Sequence, residues 1–149
     1  IAYSMIRRKS FNDARVLKKW QVIIDATELD EGYQKKNDYY LSRCYNRGKA
    51  DKFMKYHRSV LGAKLYLGND FVCSIASEPI ENTEEYINQS DEKIKQDCES
   101  KAFVRLAKKI KKSFPRLPII ITADGLYVSQ KVIQTCTDNG WDYIIRYKE

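Results

Sequence analysis

Apolar residues along this 149-residue chain fall into two kinds of run, and each kind specifies an element. Gln21–Asp25 reads QVIID and Leu117–Asp124 reads LPIIITAD. A short Val/Ile run without polar alternation marks a strand buried on both faces, and both of these runs stop on an aspartate. Val60–Leu67 and Phe71–Ser77 flank Gly68-Asn69-Asp70, a tight-turn composition, and so predict a β-hairpin. In its first arm Leu61, Ala63, Leu65 and Leu67 share one face, while Lys64 and Tyr66 take the other. Phe103, Leu106, Ala107 and Ile110 recur at i, i+3, i+4 and i+7, predicting a helix that Phe114-Pro115 ends. A second helix is predicted over Tyr127–Asn139, with Val128, Val132, Ile133 and Cys136 inward and Gly140 placed for its C-cap. A last strand follows over Trp141–Tyr147. Near the amino end, Ser10 is placed to cap a helix running to about Lys19, with Ala14, Val16, Leu17 and Trp20 as its apolar stripe. The first buried strand runs from Gln21 to Ala26. Asp30–Tyr56 is polar, with Tyr33, Tyr39, Tyr40 and Tyr45 among lysines and arginines, and reads as a long loop, a feature that is functional or disordered more often than idle.

The order helix, strand, loop, hairpin, helix, strand, helix, strand specifies one α/β domain. An antiparallel three-strand meander followed by alternating helices and strands gives a mixed sheet flanked by helices, the layout of an RNase H-like domain. In that layout the first and fourth strands are parallel neighbours, which brings Asp25 and Asp124 to the same end. Chemistry in open α/β sheets collects beyond the carboxyl ends of parallel strands, and paired carboxylates suit a hard divalent cation. The competing reading is that each aspartate caps the turn after its strand, a position aspartate favours.

Charge sharpens the picture. Lys and Arg number 27 against 20 Asp and Glu, a net charge of +7 and a pI near 9.2, which suits a polyanionic partner such as nucleic acid. Cys44, Cys73, Cys98 and Cys136 show no CxxC and no zinc-site spacing with the single His57, so free thiols of a reducing cytoplasm are expected. No run approaches the roughly 20 apolar residues of a membrane helix, and no signal peptide opens the chain, so a cytoplasmic protein is expected. The start at Ile1 and the stop at Glu149, directly after a strand, read as a fragment of a longer protein.

Three segments together resemble one family: IIDATEL from Ile23, KYHRSVLGAKLYLGNDFVCSIASEPIENTEE, and KQDCESKAFVRLAKKIKKSFPRLPIIITADGLYVSQKVIQTCTDNGWDYIIRYKE. They are similar to the DDE transposases of bacterial insertion sequences, in the group named for insertion sequence four. The resemblance spans nearly the whole chain and is most specific in DAT, ADGLY and NGWDYIIRYKE. It implies that Asp25 and Asp124 are the first two catalytic acids, holding two Mg²⁺ or Mn²⁺ ions for DNA cleavage and strand transfer, in a protein that acts as a dimer on transposon ends and target DNA. It also implies a third acid, a Glu on a helix past the last strand. Glu149 lies directly behind a strand, so this acid is expected beyond the chain and the fragment alone is expected to be inactive.

The remaining candidates each carry two readings. Lys35, Lys36, Arg43, Arg47, Lys49, Lys52, His57 and Arg58 form a basic, tyrosine-interleaved stretch suited to phosphates and splayed bases; His57 equally suits a structural hydrogen bond. Glu81, Asn82, Asp97 and Glu99 match family segments, or else cap helices and line a solvated face. Thr27 and Gly125 shape the two aspartate loops, or Thr27 is an ordinary strand residue. The lysines over Lys101–Lys112 read as solvated surface. Two other function classes compete: a DNA-binding module of a mobile element whose catalysis has decayed, and an unrelated α/β phosphatase, for which DATEL lacks the second nearby aspartate and no glycine-rich phosphate loop follows either strand.

Overall fold

A computed structural model of the chain describes residues 1–9, 11–83 and 96–146. The elements run α1 (Ala2–Arg7), β1 (Trp20–Gly32), β2 (Leu41–Tyr45), β3 (Phe53–Tyr66), β4 (Val72–Ile80), α2 (Glu99–Ser113), β5 (Ile119–Ala123), α3 (Gln130–Asp138) and β6 (Asp142–Ile145). The strands form one mixed sheet in which β3, β1, β5 and β6 are successive neighbours. β2 and β4 share the outer edge of β3: β2 pairs with Phe53–His57, and β4 with Ser59–Tyr66. β1 is antiparallel to β3 and parallel to β5, and β5 is parallel to β6. The predicted mixed sheet is therefore present, and the two strands expected to be parallel neighbours are β1 and β5, the first and fifth because β2 lies in the stretch read as a loop. No helix among the described residues is long and apolar enough to cross a membrane.

The core lies between one face of this sheet and α2. Val22 and Ile24 of β1, Leu61, Ala63 and Leu65 of β3, and Ile119 and Ile121 of β5 are buried against Phe103, Leu106 and Ile110 of α2 in one cluster. The hairpin's predicted core face is correct, because residues two apart on a strand share a face. The turn after β3 places Gly68, Asn69 and Asp70 at positive φ. α3 ends as its sequence specifies: Gly140 is left-handed at φ +69, Trp141 N donates to Cys136 O and Gly140 N to Thr137 O, the paired bonds of a Schellman cap. Its start is later than expected. Gly125–Tyr127 form a 3-10 turn, Ser129 caps α3 by accepting from Val132 N, and Val128 is left exposed.

Two regions depart from their sequence patterns. The helix expected over Ser10–Lys19 is absent from its described residues, Ser10 itself lying outside them. Asn12–Ala14 form a 3-10 turn, and Val16 and Lys19 then exchange two backbone hydrogen bonds across Leu17 and Lys18, both at positive φ. Trp20 leaves the supposed helical stripe because burial at the head of β1, 3 % exposed, outweighs packing on a solitary helix, while Leu17 at the turn tip is 79 % exposed. The stretch read as a loop from Asp30 to Tyr56 contains strand at both ends and in its middle: β1 continues to Gly32, β2 runs over Leu41–Tyr45, and β3 begins at Phe53. Asn46 and Gly48, both at positive φ, turn the chain between β2 and β3. Asn-Arg-Gly was the sequence signal for that hairpin, hidden by the polar composition on either side.

The sheet's outer edge is tied to α2 by a polar network. Asp97, with a fully buried side chain, receives two hydrogen bonds from the Arg105 guanidinium, at 2.7 and 3.2 Å; Arg105 also pairs with Glu78 and donates to Pro79 O at 3.0 Å. Lys109 completes the set on Glu78 at 2.6 Å. Asn82 bridges the ends of three segments, donating to Tyr40 O and accepting from Asp97 N. Asn82 and Asp97 thus serve the fold, and the half-buried Arg105 is structural, while Lys109, though paired, stays exposed on the solvated face as expected. Removing one partner of a buried pair leaves an uncompensated charge. Arg105→Met is therefore expected to cost about 3 kcal/mol, measured as a fall in the urea midpoint at unchanged m-value; a loss below about 1 kcal/mol would place the network among surface pairs of little worth.

Candidate active site and basic face

The site begins with the β1–β5 register. Val22 aligns with Ile121 and Ile23 with Thr122, so two residues further on Asp25 stands level with Asp124. Side chains alternate along β1, with Val22 and Ile24 buried in the core, so Asp25 falls on the opposite face, where it is exposed. The strand does not end there: β1 runs on to Gly32, and Asp25 is a mid-strand residue paired across to Gly62 of β3. Asp124 does follow the end of β5. Its Oδ1 accepts from Leu126 N at 2.9 Å and caps the 3-10 turn, so the capping role weighed for it is realised.

Tyr127 registers both carboxylates. It is 2 % exposed, and its hydroxyl meets no partner at hydrogen-bond geometry among the described residues. Burial pushes that hydroxyl far above its ordinary value, and the negative charges of Glu99, Asp124 and Asp25 push it further. Three acids from α2, β5 and β1 therefore act on one hydroxyl, of which sequence reasoning singled out two as catalytic. The missed signal was Tyr127 itself, three residues past Asp124 in ADGLY, whereas Glu99 is read from the sequence as a family match or a helix cap. Among the described residues no three His, Cys, Asp or Glu side chains stand close enough together to form a ready ion-binding group. Asp25 and Asp124 nevertheless supply hard oxygen donors from level positions, a set that suits Mg²⁺ or Mn²⁺, since Mg²⁺ is commonly bound through one or two carboxylates and keeps several waters. Glu149 lies outside the described residues. Cys136 is a core side chain: burial pushes its thiol up to about 11, which removes it as a nucleophile.

The basic residues divide into two groups. Lys36 pairs with Asp30 at 2.7 Å, Lys35 with Asp38 at 2.9 Å, and Arg43 with Glu28 at 3.6 Å; Arg58 lies over the Tyr40 ring. Lys55 pairs with Glu31 at 2.7 Å between the rings of Tyr33 and Tyr45. These acids lie on β1 and its following loop, so the strands largely neutralise their own cations. Arg47, Lys49 and Lys52, exposed at the tip of the β2–β3 hairpin, form no ion pair among the described residues. Tyr45 stacks on Phe53 at 5.1 Å rather than standing alone.

His57 is set apart from both groups. It lies on β3 opposite Leu41, 8 % exposed, with its Nδ1 buried and unpartnered among the described residues. Burial holds its imidazole below the ordinary 6.5, the Arg43 charge adds to this, and Glu28 and Glu31 oppose it. No family model, curated protein or solved structure matches the chain.

Because His57 is the single histidine, its protonation has an isolated effect on stability. The unfolded chain takes up that proton at the ordinary value, before the folded chain does. Stability is therefore fullest above about pH 6.5 and declines as pH falls below it. The melting temperature is expected to drop between about pH 7.5 and pH 5.5. His57→Gln should abolish that step, and a wild-type melting temperature flat across the window would contradict the burial of a neutral imidazole.

Proposed function

We propose that this chain is catalytic core from a DDE transposase with an RNase H-like fold, acting on DNA with Mg²⁺ or Mn²⁺. The observation that carries the reading is the β1–β5 register, which continued two residues past its last pair brings Asp25 level with Asp124, the positions where the resemblance to insertion-sequence transposases implies two catalytic acids. Two cations held by such acids supply an activated water or 3′-OH and stabilise the leaving oxygen of a phosphodiester. The protein's own part is to hold the two carboxylates at a fixed separation. The β1–β3 ladder, in which Asp25 is paired with Gly62, does this for Asp25, and the capped turn does it for Asp124. The hairpin tip, with Arg47, Lys49 and Lys52, presents charge to phosphates, and a synaptic dimer is the assembly the resemblance implies.

Two substitutions isolate the chemistry. Asn retains a capping oxygen at position 124, and residue 25 is exposed, so Asp25→Asn and Asp124→Asn are expected to keep the fold. Each should weaken Mn²⁺ binding at least about tenfold by calorimetry; unchanged affinity in both would sink the two-acid site. DNA binding that survives alongside unchanged metal affinity would favour a decayed, purely DNA-binding module. Replacing Arg47, Lys49 and Lys52 together by Ala should lower the slope of log K against log salt for duplex DNA by about 3. An unaltered slope would remove the hairpin tip from the interface.

A further inference from the structure

Where β1, β2 and β3 leave the core, one face of the sheet carries aromatic rings in place of aliphatic side chains. Phe53 and Lys55 stand on the same face of β3 as Leu61 and Ala63, because side chains alternate along a strand, yet Phe53 is 37 % exposed. Tyr45 is its cross-strand partner on β2 and stacks on it nearly parallel, with the ring centroids 5.1 Å apart. Tyr33, the residue after β1, reaches Phe53 from the opposite side of β3, at 5.9 Å and a tilt of 51°. We propose that Tyr33, backed by Phe53, is a stacking platform for one unpaired base of a DNA strand whose phosphates meet Arg47, Lys49 and Lys52; this rests on the nucleic-acid reading above.

The rings of this region differ in what holds them. Tyr45 is fixed: its hydroxyl donates to Glu31 Oε1 at 3.2 Å and accepts from Arg43 at 3.3 Å, and its stack on Phe53 is a cross-strand contact that stabilises the hairpin. Tyr40, 4 % exposed beneath Arg58, is a structural ring. Tyr33 lies outside the strands and is 70 % exposed, which leaves much of its ring open beside that of Phe53. Charge identifies the occupant. Lys55 lies over the rings of Tyr33 and Tyr45 but is neutralised by Glu31 at 2.7 Å, so the platform itself is neutral. At the adjoining tip Arg47, Lys49 and Lys52 stand against one carboxylate, that of Asp51, which the Asn46 amide engages at 2.7 Å. Neutral rings beside surplus cations match the alternation of base and phosphate along a strand, and every base offers a π-face to such a ring. A duplex keeps its bases stacked on one another, so the platform takes unpaired DNA.

The test titrates the whole chain into a fluorescein-labelled oligothymidylate, an abasic strand with the same number of phosphates, and duplex DNA, followed by anisotropy. The oligothymidylate is expected to bind at least about tenfold more tightly than the abasic strand. Tyr33→Ala should remove about tenfold of that affinity and leave the abasic strand and the duplex unaffected, whereas Tyr33→Phe should bind as the wild type does. Both variants are expected to fold, because Tyr33 is exposed and belongs to no strand. Equal affinity for the oligothymidylate and the abasic strand would overturn the platform. So would a Tyr33→Ala variant that binds as the wild type does, or one that loses the abasic strand equally. Duplex binding that persists in any of these cases leaves the DNA reading standing without the platform, and a chain that binds none of the three probes loses both. A Tyr33-dependent preference for the oligothymidylate, with Mn²⁺ affinity indifferent to Asp25→Asn and Asp124→Asn, supports the platform and removes the metal reading.

Discussion

β1 is paired along both edges, antiparallel to β3 from Val22 to Gly32 and parallel to β5 from Trp20 to Ile23, and the register of those two ladders governs the rest of the molecule. Val22 and Ile24 must enter the core, since a shift of one residue would expose them and bury Ile23 and Asp25 in their place. Burying an unpaired carboxylate costs several kcal/mol, so the register is opposed from both sides. Once it is set, Asp25 has no freedom in height or face, and its level with Asp124 follows.

The bulge between Glu28 and Asp30 does comparable work farther along the same strand. An extra residue there lets β1 continue beside β3 to Gly32 while changing which side chains share a face. Glu31 consequently comes opposite His57, with Glu28 opposite Ser59, and both acids contribute to the field around the imidazole. The same extension carries Asp30 and Glu31 to Lys36 and Lys55, so that these cations are neutralised along the strands while Arg47, Lys49 and Lys52 at the β2–β3 tip form no ion pair among the described residues. Near the start of α2, Arg105 neutralises Asp97 and Glu78 and so ties the helix to the end of β4.

The elements that were legible in the sequence are those whose signals are local. Phe103, Leu106 and Ile110 specify one buried helical face through spacing alone, and Gly68-Asn69-Asp70 and Gly140 specify reversals through backbone conformations that few residues adopt cheaply. Asp25 and Asp124 were visible because each ends an apolar run. The helix expected over 10–19 failed because its stripe depended on Trp20, whose burial in the sheet is worth more than an isolated amphipathic turn. The segment from Asp30 to Tyr56 failed because its strands are held by partners and ion pairs rather than by hydrophobic alternation.

By itself, then, the sequence determined a mixed α/β arrangement, the core faces of the hairpin and of α2, and two aspartates each closing a buried apolar run, since propensity and periodicity act over a few neighbouring residues. Only the tertiary structure decided which face Asp25 takes, that Asn82 and Asp97 are buried ties, that Tyr127 is buried just past the Asp124 turn, and that His57 is buried on β3. Each of those outcomes depends on pairing between residues tens of positions apart, and the energy that fixes such pairings is absent until the sheet has closed.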